Sequence, residues 1–134
     1  RSPSRGLGDV YKRQGLWTGL SKIWPTKETQ PDFEEIKNRL ILSQVLEAIK
    51  ALEEGVLEDI REGDVGAILG WGFAPWSGGP FGWTDIKGLK NVVEICNKLS
   101  LKEGKRFLPP KLLTEMANKN ETFYGKYLKK DDAA

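Results

Sequence analysis

An all-α domain of about four helices is the fold class this sequence predicts. Apolar residues recur at helical spacing in three separate stretches. No stretch alternates apolar and polar residues as a half-buried strand does. Between two of the helical stretches lies a segment that suits neither element. This segment, Gly70 to Gly88 (GWGFAPWSGGPFGWTDIKG), holds three tryptophans, two phenylalanines, two prolines and six glycines in nineteen residues. Proline fixes φ and removes a donor, and glycine permits tight turns and close backbone approach, so a regular element is not expected here. The rings carry large apolar surfaces that need cover. The expectation is a rigid, aromatic-filled corner joining helices on either side, with a pocket lining as the competing use of the same rings.

Taken in order, residues 1–14 (RSPSRGLGDVYKRQ) are polar, basic and without periodicity, and they lack the apolar run of a secretory signal. The run Asp9 to Gln14 resembles a translated sequencing adapter. Residues 1–14 are therefore expected to be non-native or disordered, and the chain a fragment of a longer protein. Residues 15–31 read as a linker: Leu16, Trp17, Leu20, Ile23 and Trp24 form a short apolar segment, followed by a polar stretch between Pro25 and Pro31. The domain proper is expected over residues 32–123. Asp32 has helix-start chemistry, an N-cap acid with Glu34 and Glu35 in the first turn. Ile36, Leu40, Val45, Ile49 and Leu52 then follow at helical spacing, and Leu42, Leu46 and Ala48 widen the stripe. A helix to about Glu54 with Gly55 after it follows.

Val56 to Gly63 reads as a connector, and Asp64 as the cap of a short helix through Val65, Ala67, Ile68 and Leu69. After the corner, Thr84 or Asp85 starts a helix through Ile86, Leu89, Val92, Val93, Cys96 and Leu99 to about Leu101. Gly88 inside that helix costs roughly 1 kcal/mol against alanine, which suggests a close helix crossing. Pro109 and Pro110 suit the first turn of a last helix with Leu112, Leu113, Met116 and Ala117 on its apolar face. Residues 124–134 are expected to be a mobile tail.

Composition excludes several function classes. At 134 residues the chain allows one domain. Its net charge of +2 comes from interspersed acids and bases, without a basic stripe for nucleic acid. A lone cysteine, Cys96, excludes an internal disulfide, and its place in an apolar helical pattern marks a core thiol. No apolar run is long enough to span a membrane. The sequence contains no histidine, which removes the commonest general base and the commonest metal ligand. No glycine-rich phosphate-binding or dinucleotide fingerprint occurs.

Three stretches, NRLILSQVLEAIKALEEGVL, GDVGAILGWGFAPWSGGPFGWTDIKG and GKRFLPPKLLTEMA, together resemble the C-terminal helical domain of 3-hydroxyacyl-CoA dehydrogenase. More narrowly they are similar to the last domain of the multifunctional alpha subunit of the bacterial fatty-acid oxidation complex, and GLWTGLSKIWP resembles the linker before it. Such long members carry a hydratase/isomerase domain, a nucleotide-binding dehydrogenase domain and two copies of this helical domain. The corner, Gly72-Phe73-Ala74-Pro75-Trp76-Ser77-Gly78-Gly79-Pro80, resembles the G-F-P-x-x-x-G-G of the second copy, with alanine in place of the first proline.

The resemblance implies a parent that oxidises 3-hydroxyacyl-CoA with NAD and hydrates enoyl-CoA in fatty acid β-oxidation. NAD and the family's histidine-glutamate pair belong to the nucleotide-binding domain, so this chain is expected to hold no cofactor, no metal and no catalytic residue. Asn38-Arg39 matches the family's N-R pair by internal repeat. Asn38 is thus the one weak catalytic candidate, and a surface or packing hydrogen bond is its expected role. Glu34-Glu35 and Glu53-Glu54 point to different sides of a helix and read as capping and solvated groups. Lys87, Lys90, Lys105 and Arg106 could meet coenzyme A phosphates but are spread as on an ordinary solvated face. The implied partners are the nucleotide-binding domain and first helical copy of the same subunit, with acyl-CoA reached through the parent and no nucleic acid. The implied location is the bacterial cytoplasm, with the mitochondrion as alternative. A self-standing helical module that binds acyl chains or proteins is the competing reading.

Overall fold

In the computed structural model, residues 17–128 are described, and they divide into a unit that ends at Pro31 and a unit that begins at Asp32. The expected non-native stretch 1–14 and the last six residues of the expected tail lie outside the described residues. The first unit holds one short helix, α1 (Leu20–Ile23), with Trp17 and Trp24 exposed beside it.

The second unit is all-helical. Its organiser is α2 (Phe33–Glu53). Asp32 caps it as the sequence predicts: its Oδ1 accepts the Glu35 N–H at 2.7 Å, and Glu34 and Glu35 face the positive end of the helix. Leu42, Val45, Leu46, Ile49 and Leu52 form the buried face, whereas Ile36 and Leu40, expected in the same stripe, are exposed. Gly55 follows the helix at φ 73°, so α2 ends where predicted.

The next helix begins earlier than the sequence suggests. α3 (Ile60–Gly66) is capped by Asp59, whose Oδ1 accepts the Arg61 N–H at 2.8 Å, and not by Asp64. It widens into a π turn over Ala67–Trp71, and a 3₁₀ turn at Pro75–Ser77 crosses the corner. α4 (Pro80–Lys87) then starts four residues before Thr84, with Pro80 in the first turn. Gly88, expected inside one continuous helix, instead breaks it. Its φ of 84° and ψ of 123° lie where L side chains rarely go, and the chain restarts as α5 (Leu89–Glu103). A 3₁₀ turn (Lys105–Phe107) leads to α6 (Lys111–Asn118), and α7 (Phe123–Tyr127) stands where the sequence suggests a mobile tail. Its Phe123 is fully buried and meets Phe81 edge-on at 5.1 Å, which is enough to order the segment.

The described residues hold seven α-helices, more than the four or so expected, because Gly88 cuts one helix into two and short helices form in the expected linker (α1) and the expected tail (α7). The core lies where α2 meets α4, α5 and α6. Phe73, Phe81 and Trp83 of the corner enter it. Trp71 and Trp76 do not: the wide π turn places Trp71 on the flank of α2, where its Nε1–H donates to Gln44 Oε1 at 3.0 Å. Cys96 is fully buried on α5, and burial pushes its thiol up to about 11. A thiol reagent at mildly alkaline pH is therefore expected to label Cys96 only as fast as the domain opens; rapid labelling of native protein would show that α5 is loosely packed.

Candidate functional site

The sequence points first to Asn38. It is half-buried in a shallow cleft of about 330 Å³ between the first turns of α2 (Asp32, Glu34, Glu35) and the far half of α5 (Ile95, Lys98, Leu99, Lys102). Several of the charges around it are paired. Lys102 Nζ donates to both Glu35 oxygens, at 2.7 and 2.8 Å, and Arg39 bridges Glu35 and Glu103. The Lys102 hydrogen bond, with help from Arg39, holds the Glu35 carboxyl below its usual range. A carboxylate so held is a poor proton acceptor at neutral pH. Asp32 and Glu34 line the same cleft, Asp32 as the cap of α2 and Glu34 at 3.3 Å from Lys37, and the Lys102 and Arg39 bridges clasp α2 to α5.

The structure brings together a different set of side chains, in the corner. Asp64, almost fully buried, accepts the N–H groups of Phe81 (2.7 Å) and Gly82 (2.9 Å) and the Tyr124 hydroxyl (2.8 Å). It caps α4 from α3, because Gly79 and Pro80 offer no capping side chain there. A Cβ at Gly79 would lie 2.5 Å from the Asp64 side chain, and its φ is 96°, so only glycine fits. Asp85, on α4, in turn accepts the N–H groups of Phe123 (2.8 Å) and Tyr124 (2.9 Å) and caps α7. Glu53 accepts the Leu112 N–H at 2.9 Å and does the same for α6. Each carboxylate satisfies donors at the start of a helix distant in sequence, and Tyr124 closes the circuit back to Asp64. Desolvation raises the Asp64 carboxyl, against the lowering effect of its three donors, and pushes Tyr124 up to about 12.

These capping roles were not legible residue by residue. The one local trace is the lack of a capping side chain at Gly79 and Pro110. Lys87, Lys90, Lys105 and Arg106 are all exposed, and none of them lies in the Asn38 cleft. Among the described residues no group of three His, Cys, Asp or Glu side chains could hold a metal ion, and no helix is long and apolar enough to cross a membrane. The carboxylates of Asp32, Asp64, Glu53 and Asp85 accept N–H groups at the starts of α2, α4, α6 and α7, whereas α5 begins after Gly88 with no side-chain cap.

No family model matches the chain. Among curated proteins, the chain is 42% identical over 99 residues to the fatty acid oxidation complex subunit alpha of Vibrio cholerae. The proteins of that name from Shewanella amazonensis and Vibrio parahaemolyticus are 40% and 39% identical over the same length. Each match covers 74% of this chain but only 14% of the relative, so the chain spans a small part of the proteins it matches. Over those 99 residues the chain is related to one segment of the alpha subunits of fatty acid oxidation complexes.

Proposed function

We propose that this chain is the carboxy-terminal helical domain, the second copy, of a multifunctional β-oxidation alpha subunit, and that its work is structural. The observation that carries this reading is the 42% identity over 99 residues that make up only 14% of the relative. The corner motif of Phe73 to Pro80 supports the second copy, and the commitment of Glu35, Asp64, Asp85 and Glu53 to helix clasps and caps supports a scaffold role. Asn38 is assigned to that scaffold and given no catalytic part. The domain packs on the first helical copy and the nucleotide-binding domain. Those parts bind NAD and oxidise 3-hydroxyacyl-CoA, while an amino-terminal domain hydrates enoyl-CoA. Residues 15–31 are the linker into the domain. The relatives from Vibrio and Shewanella support a bacterial, cytoplasmic parent over a mitochondrial one.

The purified chain, incubated with 3-hydroxyacyl-CoA and NAD, is expected to give no NADH above a blank, followed by absorbance. It is expected to sediment as a complex when mixed with a protein carrying the nucleotide-binding domain and first helical copy. An apolar contact of this kind should depend only weakly on salt. Turnover that Asn38→Ala abolishes would overturn the structural reading, and so would a chain that ignores the other domains.

A further inference from the structure

One face of α2 and α3 is left unfilled. Ala48 and Ala51 on α2 and Gly66 and Gly70 on α3 and its π turn floor an apolar groove of about 470 Å³. Trp71, tied to Gln44, stands at one end and Val56, just beyond α2, at the other, and both are exposed. From Gln44 to its last residue, Glu53, α2 runs about 14 Å, or roughly two and a half turns, and Val56 lies just past its end. The glycines have no internal explanation. Gly66 has ordinary helical backbone angles, φ −61° and ψ −38°, and a Cβ at Gly66 or at Gly70 would meet nothing within 4 Å. Glycine inside a helix weakens it relative to alanine, so two of them here sacrifice helix stability and gain nothing within the domain. Gly63 and Gly79 differ, since a Cβ there would strike Phe81 and Asp64.

The charged group that lines the groove is acidic, and so are the charged neighbours of Val56 and Leu57 in sequence. Glu62 lines it, and Glu54 and Glu58 flank Val56 and Leu57, all three exposed. The bases of this stretch are engaged, Lys50 with Glu47 and Arg61 with Asp59. An anionic alkyl chain would thus meet like charge at the entrance. We infer that this groove is a docking site for an amphipathic helix of about three turns, with large apolar side chains at i, i+4 and i+7 and lysine or arginine on its flank. The anchors seat over Gly66 and Gly70, where the missing side chains let the two helices approach closely. The basic flank pairs with Glu54, Glu58 and Glu62. The groove belongs to this chain whatever its parent catalyses.

The test is a titration of the full chain with fluorescently labelled model peptides, read by anisotropy. One peptide has leucines at i, i+4 and i+7 with a lysine flank, a second has glutamate in place of lysine, and a third scrambles the leucines. The lysine-flanked peptide is expected to bind about tenfold or more tighter than the other two at low salt, with the advantage over the glutamate peptide shrinking as salt rises. Gly66→Leu should weaken that binding by about tenfold or more, because its side chain fills the groove, while its melting temperature stays level or rises. The exposed pair Glu58→Lys with Glu62→Lys should reverse the preference between the lysine and glutamate peptides. Failure of all three peptides to bind, or equal affinity of the parent and Gly66→Leu, would overturn the proposal. So would saturable decanoate binding that Gly66→Leu abolishes, which would make the groove an acyl-chain site.

Discussion

Trp83→Ala is expected to lower the unfolding free energy by about 3–5 kcal/mol, the range for deleting a large buried aromatic side chain. Trp76→Ala, seven residues before it and in the same corner, should change it by no more than about 0.5 kcal/mol. The contrast follows from where the rings lie. Trp83 is 8% exposed on α4, the helix that packs against α2, α3, α5 and α7, whereas Trp76 is 76% exposed on the 3₁₀ turn. Removing Trp83 leaves a void in the core, and a close-packed interior relaxes only in part. Urea unfolding of both variants measures the difference. Equal small losses would place Trp83 at the surface and remove the corner from the core.

The elements that the sequence shows clearly are those whose causes are local. α2 begins at its own cap, Asp32, runs on its own apolar stripe and stops at its own glycine, Gly55, so periodicity and punctuation suffice to place it. The corner is different. Gly79 and Pro80 offer no side chain to cap α4, and the carboxylate that does so arrives from Asp64, seventeen residues before Phe81. Read locally, Asp64 is a helix start; in the fold it is a buried acceptor. The tail misleads for a related reason: Phe123 to Tyr127 has little periodicity of its own, and beside its local cap, Thr122 Oγ1 accepting the Gly125 N–H, it is held by Asp85 and Phe81 on α4. Aromatic residues in a glycine-rich run all look alike in sequence, and only the π turn decides that Trp71 faces out while Phe73 faces in. For the candidate site, the sequence locates Asn38 but not its surroundings, since Lys102 and Glu103 reach α2 from more than sixty residues away.

The second large effect is expected at Asp64. Asp64→Ala strands the Phe81 and Gly82 N–H groups and the Tyr124 hydroxyl in a buried corner, and should cost about 3 kcal/mol, since each lost acceptor contributes about 1 kcal/mol or more. Tyr124→Phe removes one of the three bonds and should cost about 1 kcal/mol. The pH dependence separates the carboxyl from mere packing. Desolvation, the largest influence on Asp64, raises its folded pKa above the unfolded value, so the folded state holds the proton more tightly. The corresponding stability is complete below the unfolded pKa and is lost as pH rises through the folded pKa. The stability gap between the parent chain and Asp64→Ala should therefore be widest in acid and narrow as pH rises. Urea unfolding across the acid range reads this directly. A gap that instead widens with pH would mean that the three donors outweigh desolvation, making Asp64 an anion the corner stabilises and not one it strains to bury.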